Sequence, residues 1–291
     1  MQERDNKIIV IFSIILLLLV VYVLHIGRRV YDLQIKINDE YELVQSLWGQ
    51  INDSKEQINR QQGTIAYLYE KITGEDSEPL LEFRESVGEV YSYLAIGNSI
   101  TMHGISDVWH AEYGMAASAP EQDYYHIVCK YLEKKNGTIN SVAYNYSVWE
   151  VQSHDRSETW EFLDRYLVQG IDLITVQLSE NVYDMTEFSA DFRSLIDHIM
   201  EITPDAMIIV VDDFWSTEKH DLKADICKEK ECPFADLSDI RGIEYYYAGI
   251  GETVYGEDGL PHVIEHDGVA RHPGDEGMKE IAERIIELIH Q

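Results

Sequence analysis

The chain has 291 residues and a formal net charge of −30, from 53 acidic and 23 basic residues. The charge is uneven: residues 1–76 hold 8 basic and 11 acidic side chains, which leaves −27 for the remainder. A field of this sign repels phosphate backbones, so it disfavours a nucleic-acid partner and permits neutral or cationic substrates. The length suffices for one domain of about 200 residues and a sizeable N-terminal appendage.

An apolar run from residue 8 to residue 26 follows a short tail, 1–7. Only Ser13, Tyr22 and His25 interrupt it, and it has about the 20 residues that a bilayer-spanning helix requires. The run is long for the apolar part of a signal peptide, and no small-x-small cleavage site follows it. The sequence therefore predicts a single-pass transmembrane helix. Basic residues flank it on both sides and leave its orientation open, although we expect the C-terminal domain to be extracytoplasmic.

Residues 27–73 repeat an apolar side chain every seven positions. The first heptad position is β-branched seven times in succession, at Val30, Ile37, Val44, Ile51, Ile58, Ile65 and Ile72. Such a repeat is typical of a parallel coiled coil, so we predict an oligomeric stalk and a homo-oligomer. Gly49 and Gly63 each cost about 1 kcal/mol of helix stability, so the stalk is expected to be marginal without its membrane anchor. A linker, 74–87, follows it.

In residues 88–291 apolar runs alternate with helical patterns. Strands are predicted at 90–97, 138–144, 173–178 and 207–211, and helices at 124–135, 159–169, 188–202 and 275–289. This alternation is typical of an α/β domain with a parallel sheet covered on both faces. Between residues 214 and 265 the pattern gives way to a loop-rich insertion.

Cysteine and histidine spacings predict neither a cofactor nor a metal site. The cysteines, at 129, 227 and 232, are too few for a disulfide framework and show no CxxC spacing. Cys227 and Cys232 are close enough in sequence to close a small loop in an oxidising compartment, which the residues alone leave open. The histidines that suggest a metal lie in a loop beside a proline rather than on one helix face. They are His262, His266 and His272, near Asp267.

The first predicted strand ends in Gly97, Asn98 and Ser99. Open α/β sheets bind their ligands at the carboxyl ends of the strands, which is where Ser99 stands. A serine hydroxyl is a weak nucleophile, so a catalytic role requires a base, a group that orients the base, and donors for an oxyanion. A helix-capping role for this serine is the simpler alternative.

Candidates for those groups follow later strands. Asn181 comes just after the third strand, where its amide could donate to an oxyanion. Residues 145–150 form a turn after the second strand, at the same edge of the sheet. His272 directly precedes the last predicted helix, from where its imidazole could face Ser99.

Residues 88–290 resemble the SGNH (GDSL-type) hydrolase family. Gly97 to Ile100 is similar to the family's GDSI block with Asn98 in place of aspartate, and 145–150 to its NxGxxG block with Ser147 and Glu150 in place of glycines. Residues 179–181 resemble the GxND block, with its asparagine kept at Asn181. The resemblance implies a flavodoxin-like three-layer sandwich with a central parallel sheet, preceded here by the transmembrane helix and the long coiled-coil helix.

The same resemblance implies a catalytic Ser99 and His272, with an oxyanion hole made by the Ser99 and Glu150 main-chain amides and the Asn181 side chain. His272 with Pro273 is similar to the end of the family's DxxH block, but the aspartate expected at position 269 is Val269. We assign the orienting role to Asp267, two residues further upstream. Glu265 or a main-chain carbonyl are the alternatives, and the latter would leave a Ser-His dyad.

These expectations combine into a membrane-anchored serine esterase that removes or transfers acyl groups, such as acetyl, on carbohydrate or other small esters. The alternative is a catalytically degraded domain that serves as a surface binding or assembly module on the stalk. The altered second and fifth blocks favour the alternative, whereas the joint presence of Ser99, Asn181 and His272 favours the enzyme.

Overall fold

The computed structural model describes residues 16, 18, 19, 21–31, 33–37, 78–152 and 155–290. The chain divides into two compact units, 1–59 and 60–291. In the first unit the described residues are helical and exposed, and we call this helix α1. No helix among the described residues is long and apolar enough to cross a bilayer. Most of the predicted transmembrane and stalk segments, 8–26 and 27–73, lies outside the described residues, so both stay predictions.

The second unit is built on a five-stranded parallel sheet in the order β2-β1-β3-β4-β5. Its strands are β1 (Tyr91–Gly97), β2 (Ile139–Asn145), β3 (Leu173–Gln177), β4 (Met207–Val211) and β5 (Phe234–Ala235). The longer helices are α2 (Glu78–Ser86), α3 (Tyr124–Asn136), α6 (Phe188–Ile202), α7 (His220–Lys230) and α9 (Asp275–Ile289). This strand order is that of flavodoxin-like folds, as the resemblance implied.

Short elements complete the unit. They are the helices α4 (Ser147–Val151), α5 (Trp160–Leu163) and α8 (Asp267–Ala270), 3₁₀ turns at Pro120–Gln122, Arg156–Thr159 and Glu244–Tyr246, and the antiparallel pair β6 (Thr253–Tyr255) and β7 (Pro261–Val263).

Side chains of the sheet are buried on both faces. Along β1, Tyr93 and Ala95 enter one apolar cluster with residues of α3 and α9, whereas Leu94 and Ile96 enter the other with residues of α2, α6 and α7. Successive residues of a strand point to opposite faces, so a strand covered on both sides is mostly apolar. The unit is therefore a three-layer α/β sandwich.

Two predictions in this unit are wrong. The helix expected at 159–169 is only the four-residue α5 behind a 3₁₀ turn, because the chain turns away after Leu163. The loop-rich stretch 214–265 contains α7 and the edge strand β5. Helix α7 is mostly polar and buries only Lys223, Ile226 and Cys227, so its sequence shows little apolar periodicity.

Candidate active site

The carboxyl ends of three neighbouring strands meet at one edge of the sheet. Gly97, at the end of β1, is in register with Asn145 of β2 on one side and with Gln177 of β3 on the other. The chain runs from β1 outward to β2 and then returns to β3 on the opposite side, so the order of the strands reverses beside β1. Ser99 lies at this switch point, which is where open α/β sheets leave a crevice for a ligand.

The turn after β1 requires glycine at position 97. A Cβ atom there would lie 1.8 Å from Thr101 Oγ1 and 2.9 Å from the main-chain oxygen of Gln177. The next residue, Asn98, is fully buried, and its Oδ1 accepts a hydrogen bond from the Ile100 N–H at 3.0 Å. Its carbonyl accepts from the Thr101 N–H at 3.0 Å. These bonds fix the turn and leave Ser99 only partly buried.

The structure brings Ser99 and His272 together. The Oγ of Ser99 lies 2.8 Å from Nε2 of His272, 173 residues later in the chain. Helix α8 and the start of α9 flank the histidine, and its main-chain oxygen accepts from the Ala248 N–H at 2.9 Å. Trp215 packs edge-on against the imidazole, with ring centroids 4.8 Å apart, and donates from Nε1 to the Arg271 carbonyl at 2.7 Å. The ring is thus held on two sides.

A main-chain carbonyl, and not the Asp267 carboxylate, is the partner of the second ring nitrogen. Nδ1 of His272 lies 2.8 Å from the carbonyl oxygen of Gly268. Asp267 begins α8 and is exposed, as is Glu265. Our assignment of Asp267 as the orienting acid is therefore corrected to the main-chain carbonyl, one of its two alternatives. The physical reason is that α8 turns the chain so that its second residue presents its carbonyl to the imidazole.

This contact sets the protonation of the histidine. A carbonyl oxygen only accepts hydrogen bonds, so Nδ1 carries the proton and Nε2 presents its lone pair to the Ser99 hydroxyl. The pKa of His272 is lowered to about 4, mainly by burial and in smaller part by the nearby His103, against the raising effect of the Gly268 hydrogen bond. At neutral pH the imidazole is uncharged and is able to accept the serine proton.

Glu150 presents its carboxylate to the site. Its Oε1 accepts from Asn98 Nδ2 at 2.9 Å and from the Ser179 N–H at 2.6 Å, and its Oε2 accepts from Asn181 Nδ2 at 2.6 Å. We expected the main-chain N–H of Glu150 as an oxyanion donor. That N–H belongs to the fourth residue of α4, and its part in an oxyanion hole stays a prediction. The carboxylate is what links the three strand ends.

The Glu150 carboxylate is buried, which is unusual for an acidic side chain. Glu150 is 1% exposed, and burial raises its pKa above the ordinary value. The hydrogen bonds from Asn98, Asn181 and Ser179 act in the opposite direction, because each one stabilises the ionised form. An amide has two N–H bonds, so Asn181 retains one for a substrate while the other is held by Glu150.

Ser179 has a strained backbone. Its φ of +112° lies where glycine is favoured, and glycine is the residue of the family pattern here. Three contacts hold it: the N–H donates to Glu150, the Oγ donates to Asp213 Oδ1, and Lys223 Nζ lies 3.3 Å from the Oγ. The conformation directs the chain so that the next two residues face opposite ways, Asn181 toward Glu150 and Glu180 toward the following strand end.

A buried ionic cluster behind this loop escaped the sequence analysis. Lys223 is fully buried and donates to Asp213 Oδ1 at 2.8 Å and to the Val211 carbonyl at 2.7 Å. Glu180 accepts from the N–H groups of Phe214 and Trp215, and burial raises its pKa well above the ordinary value. In the sequence, the two adjacent aspartates after β4, Asp212 and Asp213, are the feature that could have indicated this cluster. The cluster joins the loops after β3 and β4 and fixes the segment that carries Trp215.

The remaining candidates for metal ligands have other partners. His262 lies 3.0 Å from Asp258, and His266 accepts from the Gly268 N–H at the start of α8. Among the described residues, one group has donor atoms close enough together to bind a metal: Asp212, His220 and Asp236. In that group Oδ2 of Asp212 already accepts from Arg241 at 2.6 Å and lies 2.8 Å from His220 Nδ1, which is an ion-pair network.

The three cysteines are free and buried. Cys227 and Cys232 lie in the apolar cluster on the α6 and α7 side of the sheet, and the Cys232 N–H donates to the Cys227 carbonyl at 3.0 Å. They form no disulfide in this structure. Neither residue contributes to the group of side chains around Ser99.

Neither protein-family models nor curated proteins match the chain. Among solved structures, the chain is similar to the psychrotrophic esterase EstA from Pseudoalteromonas sp., with 10% identity over 68% of this chain and 96% of that one and a TM-score of 0.42. Phospholipase A1 from Streptomyces albidoflavus aligns with 9% identity, 68% and 99% coverage and a TM-score of 0.43. The acetylxylan esterase Axe2 from Geobacillus stearothermophilus, a catalytic mutant, aligns with 15% identity, 69% and 94% coverage and a TM-score of 0.43.

Proposed function

We propose that this protein is a serine esterase whose nucleophile is Ser99 and whose base is His272. The observation that carries the proposal is the 2.8 Å contact between Ser99 Oγ and His272 Nε2, in which the Nδ1 contact to Gly268 leaves Nε2 as the acceptor. A nucleophile and a base within hydrogen-bond reach, with the base oriented by a third group, is the arrangement that acyl transfer requires.

The reaction follows from these atoms. Nε2 of His272 takes the hydroxyl proton as Ser99 Oγ forms a bond to the ester carbonyl carbon, whose oxygen gains the negative charge. The C–O bond to the leaving alcohol then breaks, and the imidazolium returns its proton to that alcohol. Water or an acceptor hydroxyl then attacks the acyl carbon and gives its proton to His272. The bond between that carbon and Ser99 Oγ breaks, the imidazolium returns the proton to Oγ, and the acid or the transferred ester leaves.

The oxyanion would be bound by the main-chain N–H groups of Ser99 and Glu150 and by the N–H of Asn181 that the Glu150 carboxylate does not hold. The orienting group is neutral, so the dyad has less stabilisation for the transient imidazolium than a carboxylate would provide. A slower enzyme than one with a full triad is the expected consequence.

The resemblance supports a finer proposal. The family that this domain resembles often acts on acylated carbohydrate, and we expect the domain to lie outside the membrane, so we propose such a substrate, or another small ester. The predicted transmembrane helix would hold it at the membrane, and the predicted coiled coil would make it a homo-oligomer.

The test uses the full-length chain and p-nitrophenyl acetate, a small neutral ester. We expect steady turnover by the wild type, and none above background from Ser99→Ala with an unchanged circular dichroism spectrum. Absence of turnover by a folded wild type would overturn the proposal and favour the alternative, a binding or assembly module. Comparison of acetylated oligosaccharides with simple aryl esters would then test the finer proposal, which predicts a higher kcat/KM on the former.

A further inference from the structure

The three groups that contact the Glu150 carboxylate are all hydrogen-bond donors. They are the Asn98 amide, the Ser179 main-chain N–H and the Asn181 amide, at 2.9, 2.6 and 2.6 Å. Glu150 stands where the family pattern has glycine, and Asn98 stands where it has aspartate. The side chains of Asn98 and Glu150 contact each other, so the two differences from the family pattern form one feature of this chain.

The orientation of the Asn98 amide is fixed independently of Glu150. Its Oδ1 accepts from the Ile100 N–H at 3.0 Å, which leaves its Nδ2 as the atom facing position 150. The Ser179 N–H points at the same carboxylate oxygen. The atom of residue 150 that faces Asn98 and Ser179 must therefore be an acceptor, whichever atom faces Asn181.

The atom on the other side determines how Asn181 is turned. An acceptor there, Oε2 of Glu150, holds Nδ2 of Asn181 in place, and its second N–H remains available. A donor there would require Oδ1 of Asn181 to take that place, and an oxygen would then stand where the oxyanion needs an N–H.

We propose that the Glu150 carboxylate is a positioning residue that fixes the orientation of the Asn181 amide for the oxyanion. This inference rests on the proposed esterase function. It assigns to the Glu150 side chain a role in catalysis that acts through Asn181, without contact to the substrate.

Glu150→Gln tests the proposal without changing the size of the side chain. The new amide at position 150 has one oxygen, and Asn98 and Ser179 both need it as their acceptor. Its nitrogen must then face Asn181, and because that nitrogen is a donor, the Asn181 amide has to turn over. We expect kcat for p-nitrophenyl acetate to fall about 10²- to 10³-fold, the cost of losing one oxyanion donor, with KM within about 3-fold. Glu161→Gln, at an exposed position on α5, is the matched control with unchanged activity.

A second substitution should restore the orientation. In Asn98→Asp combined with Glu150→Gln, the new carboxylate at position 98 accepts from the amide nitrogen of the side chain at position 150. The oxygen of that same amide then faces Asn181 and accepts from its Nδ2, as Glu150 does. The Ser179 N–H loses its acceptor in this variant, so we expect partial recovery, about 5-fold or more in kcat over Glu150→Gln. A residue that only supports the fold would show no such recovery.

The outcomes separate this inference from the proposed function. Lower kcat in a folded Glu150→Gln with recovery in the double variant supports the inference, and lower kcat without recovery overturns it. Where the single variant fails to fold, a folded double variant without turnover also overturns it. An active wild type with kcat of Glu150→Gln within about 2-fold of it overturns the inference and leaves the esterase standing. A folded wild type without turnover overturns the proposed function, and this inference with it.

Discussion

The second ring nitrogen of His272, Nδ1, contacts a main-chain group, the Gly268 carbonyl oxygen at 2.8 Å. A carbonyl selects the same tautomer as a carboxylate does, but it carries only a partial negative charge. Asp267 is exposed. Its main-chain oxygen accepts a hydrogen bond from the Arg271 N–H at the end of α8. The chemistry at this residue therefore depends on the backbone path of α8 and not on a nearby acid.

We predict that Asp267→Asn keeps its activity. Because the substitution removes no contact to His272, the rate of p-nitrophenyl acetate hydrolysis is expected to remain within about 3-fold of the wild type. Glu265→Gln, at the other acid considered from the sequence, should behave in the same way. A fall of about 10⁴-fold in either variant, the loss that follows replacement of a triad aspartate, would contradict the carbonyl assignment.

The pH dependence of catalysis follows from the buried imidazole. Burial lowers the pKa of His272 to about 4, and only the uncharged ring accepts the Ser99 proton. A lowered pKa extends the active form toward acid, so kcat/KM should stay constant on going down through pH 6.5, the ordinary histidine value, and fall only below about pH 5, with its midpoint near pH 4. A pH profile of the wild type with its acid limb centred near 6.5 would show that the histidine is not desolvated as described.

Ser99 and Asn181 follow the neighbouring strands β1 and β3, whose carboxyl ends share one edge of the sheet, so order along the chain indicates proximity. His272 follows α8 instead; it was expected to face Ser99, and its Nε2 lies 2.8 Å from that hydroxyl. The role of the Glu150 carboxylate could not be predicted, since nothing local to residues 145–150 shows that its partners lie at positions 98 and 181. Lys223 was missed for a related reason. A lysine in a polar helix is ordinarily solvated, and only the folded structure shows that Lys223 is buried against Asp213, in the loop after β4.

At the level of elements, the strands were predicted to within about a residue because buried parallel strands are continuous apolar runs between turns. Strand β1 was expected at 90–97 and is Tyr91–Gly97, and β4 was expected and found at Met207–Val211. Helix α7 and the two-residue strand β5 were not predicted, because the former has a narrow apolar face and the latter is too short to form a pattern.

The turn from β1 to Ser99 has no room for a side chain at Gly97, where a Cβ atom would lie 1.8 Å from Thr101 Oγ1. We predict that Gly97→Ala lowers the free energy of unfolding by about 3 kcal/mol, as severe overpacking does, and reduces turnover by displacing Ser99. Chemical denaturation of the full chain measures the first effect. The control is Gly104→Ala, where a Cβ atom meets nothing within 4 Å, and equal stability of the two variants would contradict the account.

On the scale of the whole molecule, the acidic charge of residues 77–291 acts on any ester that approaches Ser99. The net charge of −27 on this part repels anionic substrates over distances that salt screens. We predict that kcat/KM for the anionic ester p-nitrophenyl hemisuccinate rises relative to neutral p-nitrophenyl acetate as ionic strength increases from about 0.01 M to about 0.5 M. A ratio that does not change with salt would mean that the field does not reach the site.

The central claim is that Ser99 is a nucleophile activated by His272, and covalent labelling measures it most directly. The full-length protein is treated with a fluorophosphonate, and the modified residue is identified by peptide mass spectrometry. We expect one adduct, on Ser99, that is absent in Ser99→Ala and forms much more slowly in His272→Ala. A folded wild type that acquires no adduct at Ser99, or that is labelled equally fast without His272, would contradict the claim.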